Sequence, residues 1–171
     1  MHMLFGGMYG QREGGTYVNP YTGANSCPTG YTPYLMLWTP NVDHPLYFCG
    51  RFADETTEPI SDFGGMFGWS ATGSYPNPIT GAMSCPPGYL NQPTYGSPNL
   101  DHTIHFCHRQ YVTGTQGMYR FGGMFGYRQG GVYPNPITGA PSCPSGFTER
   151  YTFETPYTDH DLGFCYRALA L

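Results

Sequence analysis

Phe5-Gly6-Gly7-Met8 returns as Phe63-Gly64-Gly65-Met66 and again as Phe121-Gly122-Gly123-Met124, a period of 58 residues. Each copy continues with Asn-Pro, Thr-Gly-Ala and Ser-Cys-Pro at fixed offsets. These are Asn19-Pro20, Thr22-Gly23-Ala24 and Ser26-Cys27-Pro28 in the first copy, and they return 58 and 116 residues later with no insertion or deletion. Each copy closes with Asp-His, Phe-Cys and then Arg. Self-similarity at a fixed period marks a repeat architecture, with units at 5–51, 63–109 and 121–167. The joining segments, 52–62 and 110–120, have equal length and unlike sequences. They are expected to bridge equivalent points in space without carrying function.

Within a unit, Phe-Gly-Gly-Met reads as a short strand or turn, with Gly where close approach or positive φ is needed. The Asn-Pro-x-Thr-Gly and Ser-Cys-Pro-x-Gly runs are turn chemistry. Strand-like stretches follow, such as Tyr34-Leu35-Met36-Leu37-Trp38. From His102 to Arg109 the pattern alternates, with His102, Ile104 and Phe106 on one face and Thr103, His105, Cys107 and Arg109 on the other. Gly 25 and Pro 17 in 171 residues disfavour long helices. Aromatics at 17% argue against disorder. The expected fold class is all-β, in three tandem disulfide-containing units. One such unit is too small to bury a strong core alone. The units are therefore expected to pack on each other with pseudo-threefold symmetry, the alternative being a line of three beads.

Six cysteines form three pairs, each 22 positions apart. Repeat symmetry leaves two connectivities, one internal to each unit (Cys27–Cys49, Cys85–Cys107, Cys143–Cys165) and one linking the units in a ring. Internal pairing is expected, because each unit then stands alone as a module. It implies an oxidising compartment and a secreted protein. Cys27, Asp43, His44 and Cys49 could instead ligate zinc, but closely spaced ligand pairs are missing. No cofactor or metal is expected.

The charge balance narrows the function. Charged residues are 11% of the chain, the net charge is −4 and all seven cations are Arg. Nucleic acid is a poor partner for such a surface. No apolar run approaches the roughly 18–20 residues of a membrane span. The opening Met1-His2-Met3-Leu4 lacks the pattern of a signal peptide.

The run Phe-Gly-Gly-Met-aromatic, Asn-Pro-x-Thr-Gly-Ala-x-Ser-Cys-Pro-x-Gly-aromatic and terminal Phe-Cys resembles the accessory β-module of macrophage perforin-like proteins. It is also similar to repeat units of secreted molluscan egg lectins. The resemblance covers all three units, with the pore-forming domain missing. It implies binding to a glycan or a membrane surface rather than catalysis.

Gly, Pro, Cys, Asn-Pro and Thr-Gly have structural explanations in turns. Asp43-His44, Asp101-His102 and Asp159-His160 do not, nor do Arg51, Arg109 and Arg167. An Asp accepts sugar hydroxyls, a neutral His donates or accepts, and an Arg fork donates, which also suits an acidic sugar. Tyr17, Tyr75 and Tyr133 recur and could cover the apolar side of a sugar ring. The competing reading is structural, with Asp at a turn, His partly buried on its strand and Arg paired with Asp. On a straight strand Asp43 and Arg51 would lie about 26 Å apart. His105 and His108, found in unit two alone, read as surface residues. Ser26, Ser84 and Ser142 lack a nucleophile elbow, and no carboxylate pair recurs for glycosidase chemistry, so no enzyme is expected.

The sequence thus favours a secreted, multivalent carbohydrate-binding protein with one site per repeat, for galactose-type or uronic-acid ligands. Its partners would be glycoconjugates on cell or microbial surfaces, and homo-oligomers are compatible with it. The alternative is an innate-immune module that binds a membrane or microbial surface. A matrix protein would not need charged residues in strict register.

Overall fold

The computed structural model describes residues 2–12, 15–37, 46–54, 57, 61–70, 73–97, 102–110, 119–128, 131–155 and 160–168. Twelve strands and no helix occur among them. Unit one supplies β1 (His2–Arg12), β2 (Gly15–Tyr17), β3 (Thr32–Leu37) and β4 (Leu46–Ala53). Unit two supplies β5 (Ser61–Ser70), β6 (Gly73–Tyr75), β7 (Leu90–Ser97) and β8 (His102–Gln110). Unit three supplies β9 (Tyr119–Arg128), β10 (Gly131–Tyr133), β11 (Thr148–Thr155) and β12 (His160–Ala168). Each unit forms one four-stranded antiparallel sheet, in the order β2-β1-β4-β3 for unit one and its equivalents in the others. The strands run past the repeat boundaries into the joining segments, so that Asp62 belongs to β5 and Arg120 to β9.

The repeated Gly-Gly is a β-bulge. The β1–β4 register slips between Phe5 and Met8, and β5–β8 slips between Phe63 and Met66. One kind of bulge places a glycine at positive φ, and Gly7, Gly65 and Gly123 do so here with φ of 92, 89 and 88°. Asn19 plugs the bulge from the side. Its Nδ2 donates to Gly6 O at 3.0 Å and Ser26 O at 3.1 Å, while its Oδ1 accepts from Tyr21 N at 3.1 Å. Asn77 and Asn135 repeat the arrangement, and all three asparagines are 0% exposed. The Asn-Pro motif is thus a buried polar hub as well as a turn.

Around a pseudo-threefold axis, Phe5, Phe63 and Phe121 meet with ring centroids 5.0, 5.0 and 4.8 Å apart. A second set closes the ring in one rotational sense. Phe106 meets Phe5 at 5.5 Å, Phe164 meets Phe63 at 5.7 Å, and Phe48 meets Phe121 at 5.5 Å. Each phenylalanine of the first set therefore leans on the next unit, which a line of beads cannot do. The contacts are mostly edge-to-face, the favoured aromatic geometry. Strand packing has the same cyclic order, with β1 on β7, β5 on β11 and β9 on β3. One shared core results, with Met8, Met66 and Met124 buried beside the phenylalanines.

The outer face of each sheet is closed by its own loop. Disulfides join Cys27 to Cys49, Cys85 to Cys107 and Cys143 to Cys165, so all three are internal to their units. In unit two Phe67, Tyr89 and Cys107 form a small outer cluster under this loop. The aromatic after Cys-Pro-x-Gly lies on the bulge, and a Cβ on Gly64 would overlap the Tyr89 ring.

Candidate functional site

The alternation expected for His102–Arg109 positions the side chains of β8. Ile104, Phe106 and His108 point into the shared core, while Cys107 and Arg109 lie on the outer face with the disulfide loop. His108 corrects the expectation of a surface residue, being only 6% exposed. Its ring packs against Phe106 of its own unit at 5.3 Å and against Tyr21 of unit one at 5.1 Å. Position parity put it inside, and its polarity alone suggested the surface. Burial lowers its pKa, and also that of His105. His105 stacks on Phe67 at 4.9 Å, and its Nδ1 is 2.8 Å from Asn91 Oδ1.

Arg109 lies across Tyr89, its guanidinium carbon 4.5 Å from the ring centre. Nε and Nη2 both donate to Asp62 Oδ2, at 3.2 and 2.7 Å. Asp62 is 5% exposed and is the register partner of Arg109 on β5. The hydrogen bond to Asp62 is the main cause that raises the pKa of Arg109. The Arg–Asp pairing weighed from the sequence thus exists in unit two, with a joining-segment residue as the partner. The segment's divergence hid Asp62, and cross-strand register is the signal that finds it.

The same row recurs with different chemistry. In unit three Arg167 lies 5.0 Å from the Phe147 ring centre, and its register partner is Arg120. In unit one Arg51 is exposed and opposite buried Leu4. The third side chains of the rows are Tyr31, Tyr89 and Phe147, set on the bulge glycines.

The tyrosine candidates end the short strands β2, β6 and β10, in register with Gly10, Gly68 and Gly126. Tyr17 and Tyr75 are half-buried. Tyr133 is buried within the shared core, away from an open surface. Of the Asp-His candidates, Asp43, His44, Asp101 and Asp159 lie outside the described residues. His102 and His160 open β8 and β12, paired in register with Ser97 and Thr155. Among the described residues no group of three or more His, Cys, Asp or Glu could hold a metal ion. Among them too, no helix is long and apolar enough to cross a membrane.

Fold and rows together define an all-β, disulfide-stapled protein of pseudo-threefold symmetry with one arginine-bearing row in each unit. No protein-family model matches the chain.

Proposed function

We propose that the chain is a secreted, multivalent carbohydrate-binding protein without catalysis, with one sugar site at the Asp-His pair of each unit. The observation that carries this reading is the recurrence of Asp-His in a closed ring of three equivalent sheets. A ring of this kind repeats any surface feature three times about one axis, which suits avid binding to a repetitive glycan surface. A second weak site on a suitable scaffold raises apparent affinity by about 10²–10⁴. The resemblance to perforin-associated modules and egg-lectin repeats supports the same class. The three internal disulfides are consistent with an oxidising, extracellular setting.

The test is a glycan array with haemagglutination, watching galactose-type and uronic-acid ligands. Changing Asp101 and His102 together to Ala should lower avidity while far-UV circular dichroism stays unchanged. Silence on the array with no haemagglutination would reject the reading. Loss of folding in the double variant would make the pair structural. Binding to protein-free anionic liposomes would favour a membrane-surface module instead.

A further inference from the structure

Three equivalent cross-strand pairs carry three different chemistries. Tyr9 on β1 and Tyr47 on β4 are register partners in unit one. The same positions hold Phe67 with His105 in unit two and Phe125 with Gly163 in unit three. The Tyr9 and Tyr47 rings stack with centroids 5.0 Å apart and planes inclined by 17°. Side chains at register positions leave the sheet on the same face. The two hydroxyl ends therefore lie together, and the ring carbons beside them, the Cε atoms, face each other across the stack. In keeping with this, burial and then the Tyr47 phenol raise the pKa of Tyr9. Tyr9 is 9% exposed and Tyr47 half-buried, so the pair meets solvent through Tyr47. Tyr47 also precedes Cys49 by two positions on β4, which sets the stack beside the Cys27–Cys49 disulfide.

We propose that Tyr9 and Tyr47 are an oxidative modification site, at which a peroxide-fed, one-electron oxidant of the haem-peroxidase type joins the two rings through a Cε–Cε bond as dityrosine. Each phenol gives up one electron and one proton and becomes a tyrosyl radical. The unpaired electron is shared between the oxygen and the ring carbons ortho and para to it. The para carbon carries the side chain, so coupling falls to Cε. The two unpaired electrons form the new bond, and each ring regains aromaticity by passing its Cε hydrogen to its oxygen. The protein loses two electrons and two protons, and hydrogen peroxide takes up both and leaves as two water molecules. Fixing the two rings in contact beforehand makes the coupling effectively unimolecular. The carbon–carbon bond resists the reductants that open Cys27–Cys49, so unit one would keep a covalent tie between β1 and β4 after its disulfide is lost. Units two and three cannot form it, because His105 and Gly163 replace the second phenol. The site is independent of the carbohydrate-binding reading.

The experiment treats the full chain, dilute enough to keep molecules apart, with a haem peroxidase and hydrogen peroxide. The monomer should gain dityrosine fluorescence and lose the mass of two hydrogen atoms. After reduction and digestion, mass spectrometry should find the peptide of Tyr9 joined to the peptide of Tyr47. Tyr9→Phe copies unit two, where Phe67 holds the same position, and should abolish that linked product while circular dichroism stays unchanged. Tyr47→His copies the other half of the unit-two pair and should do the same, so it serves if Tyr9→Phe fails to fold. After reduction, the cross-linked native chain should migrate faster than the untreated chain on a denaturing gel, and neither variant should show the shift. Absence of coupling in the native chain would overturn the site. So would fluorescence carried by covalent dimers alone, or a monomer linked through other tyrosines and equally in both variants.

Discussion

Removing the plug of one bulge tests the fold most sharply. In Asn77→Ala, Gly64 O and Ser84 O lose donors at 2.9 and 3.1 Å, and Ile79 N loses its acceptor at 3.1 Å. A buried polar group left without a partner costs about 1–3 kcal/mol. Gly64 O is in the buried contact, whereas Ser84 O and Ile79 N are part-buried and recover some hydration. The expected loss is therefore about 3–5 kcal/mol, a large share of the roughly 5–15 kcal/mol that stabilises a typical domain. Urea unfolding with the disulfides intact, followed by circular dichroism and fluorescence, measures it. Asn77→Asp is the informative companion, because it keeps the shape and the acceptor for Ile79 N. It also turns a donor facing two carbonyls into a carboxylate. Burial and the missing donor raise that carboxyl's folded pKa above its unfolded value of about 3.9. Its neutral form is then favoured in the folded state, so stability should recover as pH falls and decline as pH rises through the raised pKa. A loss under about 1 kcal/mol for Asn77→Ala would refute the claim that the asparagine holds the bulge.

Phe63→Ala, at the threefold axis, should cost about 3–5 kcal/mol, and unfolding should remain a single transition because all units share one core; separate transitions in calorimetry would contradict the ring. Replacing Cys85 and Cys107 with Ser should cost about 3 kcal/mol, the loop entropy of a closed loop of this size, read from the urea midpoint. For pH, burial lowers the folded pKa of His108 from its ordinary 6.5. The unfolded chain then binds the proton first, so stability is full at neutral pH and falls as pH drops below about 6.5. Thermal melts from pH 7.5 to 5 should show this decline, and His108→Phe should shrink it; an unchanged slope would place the titration elsewhere.

Much of this was legible because repetition aligned three copies of each position. The 58-residue register located the bulges, loops and cysteine pairs, and alternation in 102–109 gave the correct two faces of β8. Closure of the ring was less legible, since it depends on Phe5, Phe63 and Phe121 meeting across units, which no local pattern encodes. His108 was misjudged because its neighbours in the fold, Tyr21 and Phe106, include one from another unit. Asp62 and Arg120 escaped notice because they lie outside the repeated motif and gain meaning only from cross-strand pairing. The repeat makes the three arginines equivalent in sequence, whereas each faces a different partner across the sheet.

That inequality bears on how the three units divide their work. The axial phenylalanines, bulge glycines, plug asparagines and disulfides are the same in every unit, because a change at one would disturb the core that all three share. The outer row is free of that constraint. Arg51 faces Leu4, Arg109 faces Asp62 and Arg167 faces Arg120, so one backbone position carries three different register partners. A protein selected only to repeat a single contact would have little reason to vary its only recurrent cation in this way. The variation fits a scaffold in which the shared core fixes the framework while the partner of each outer arginine is set unit by unit.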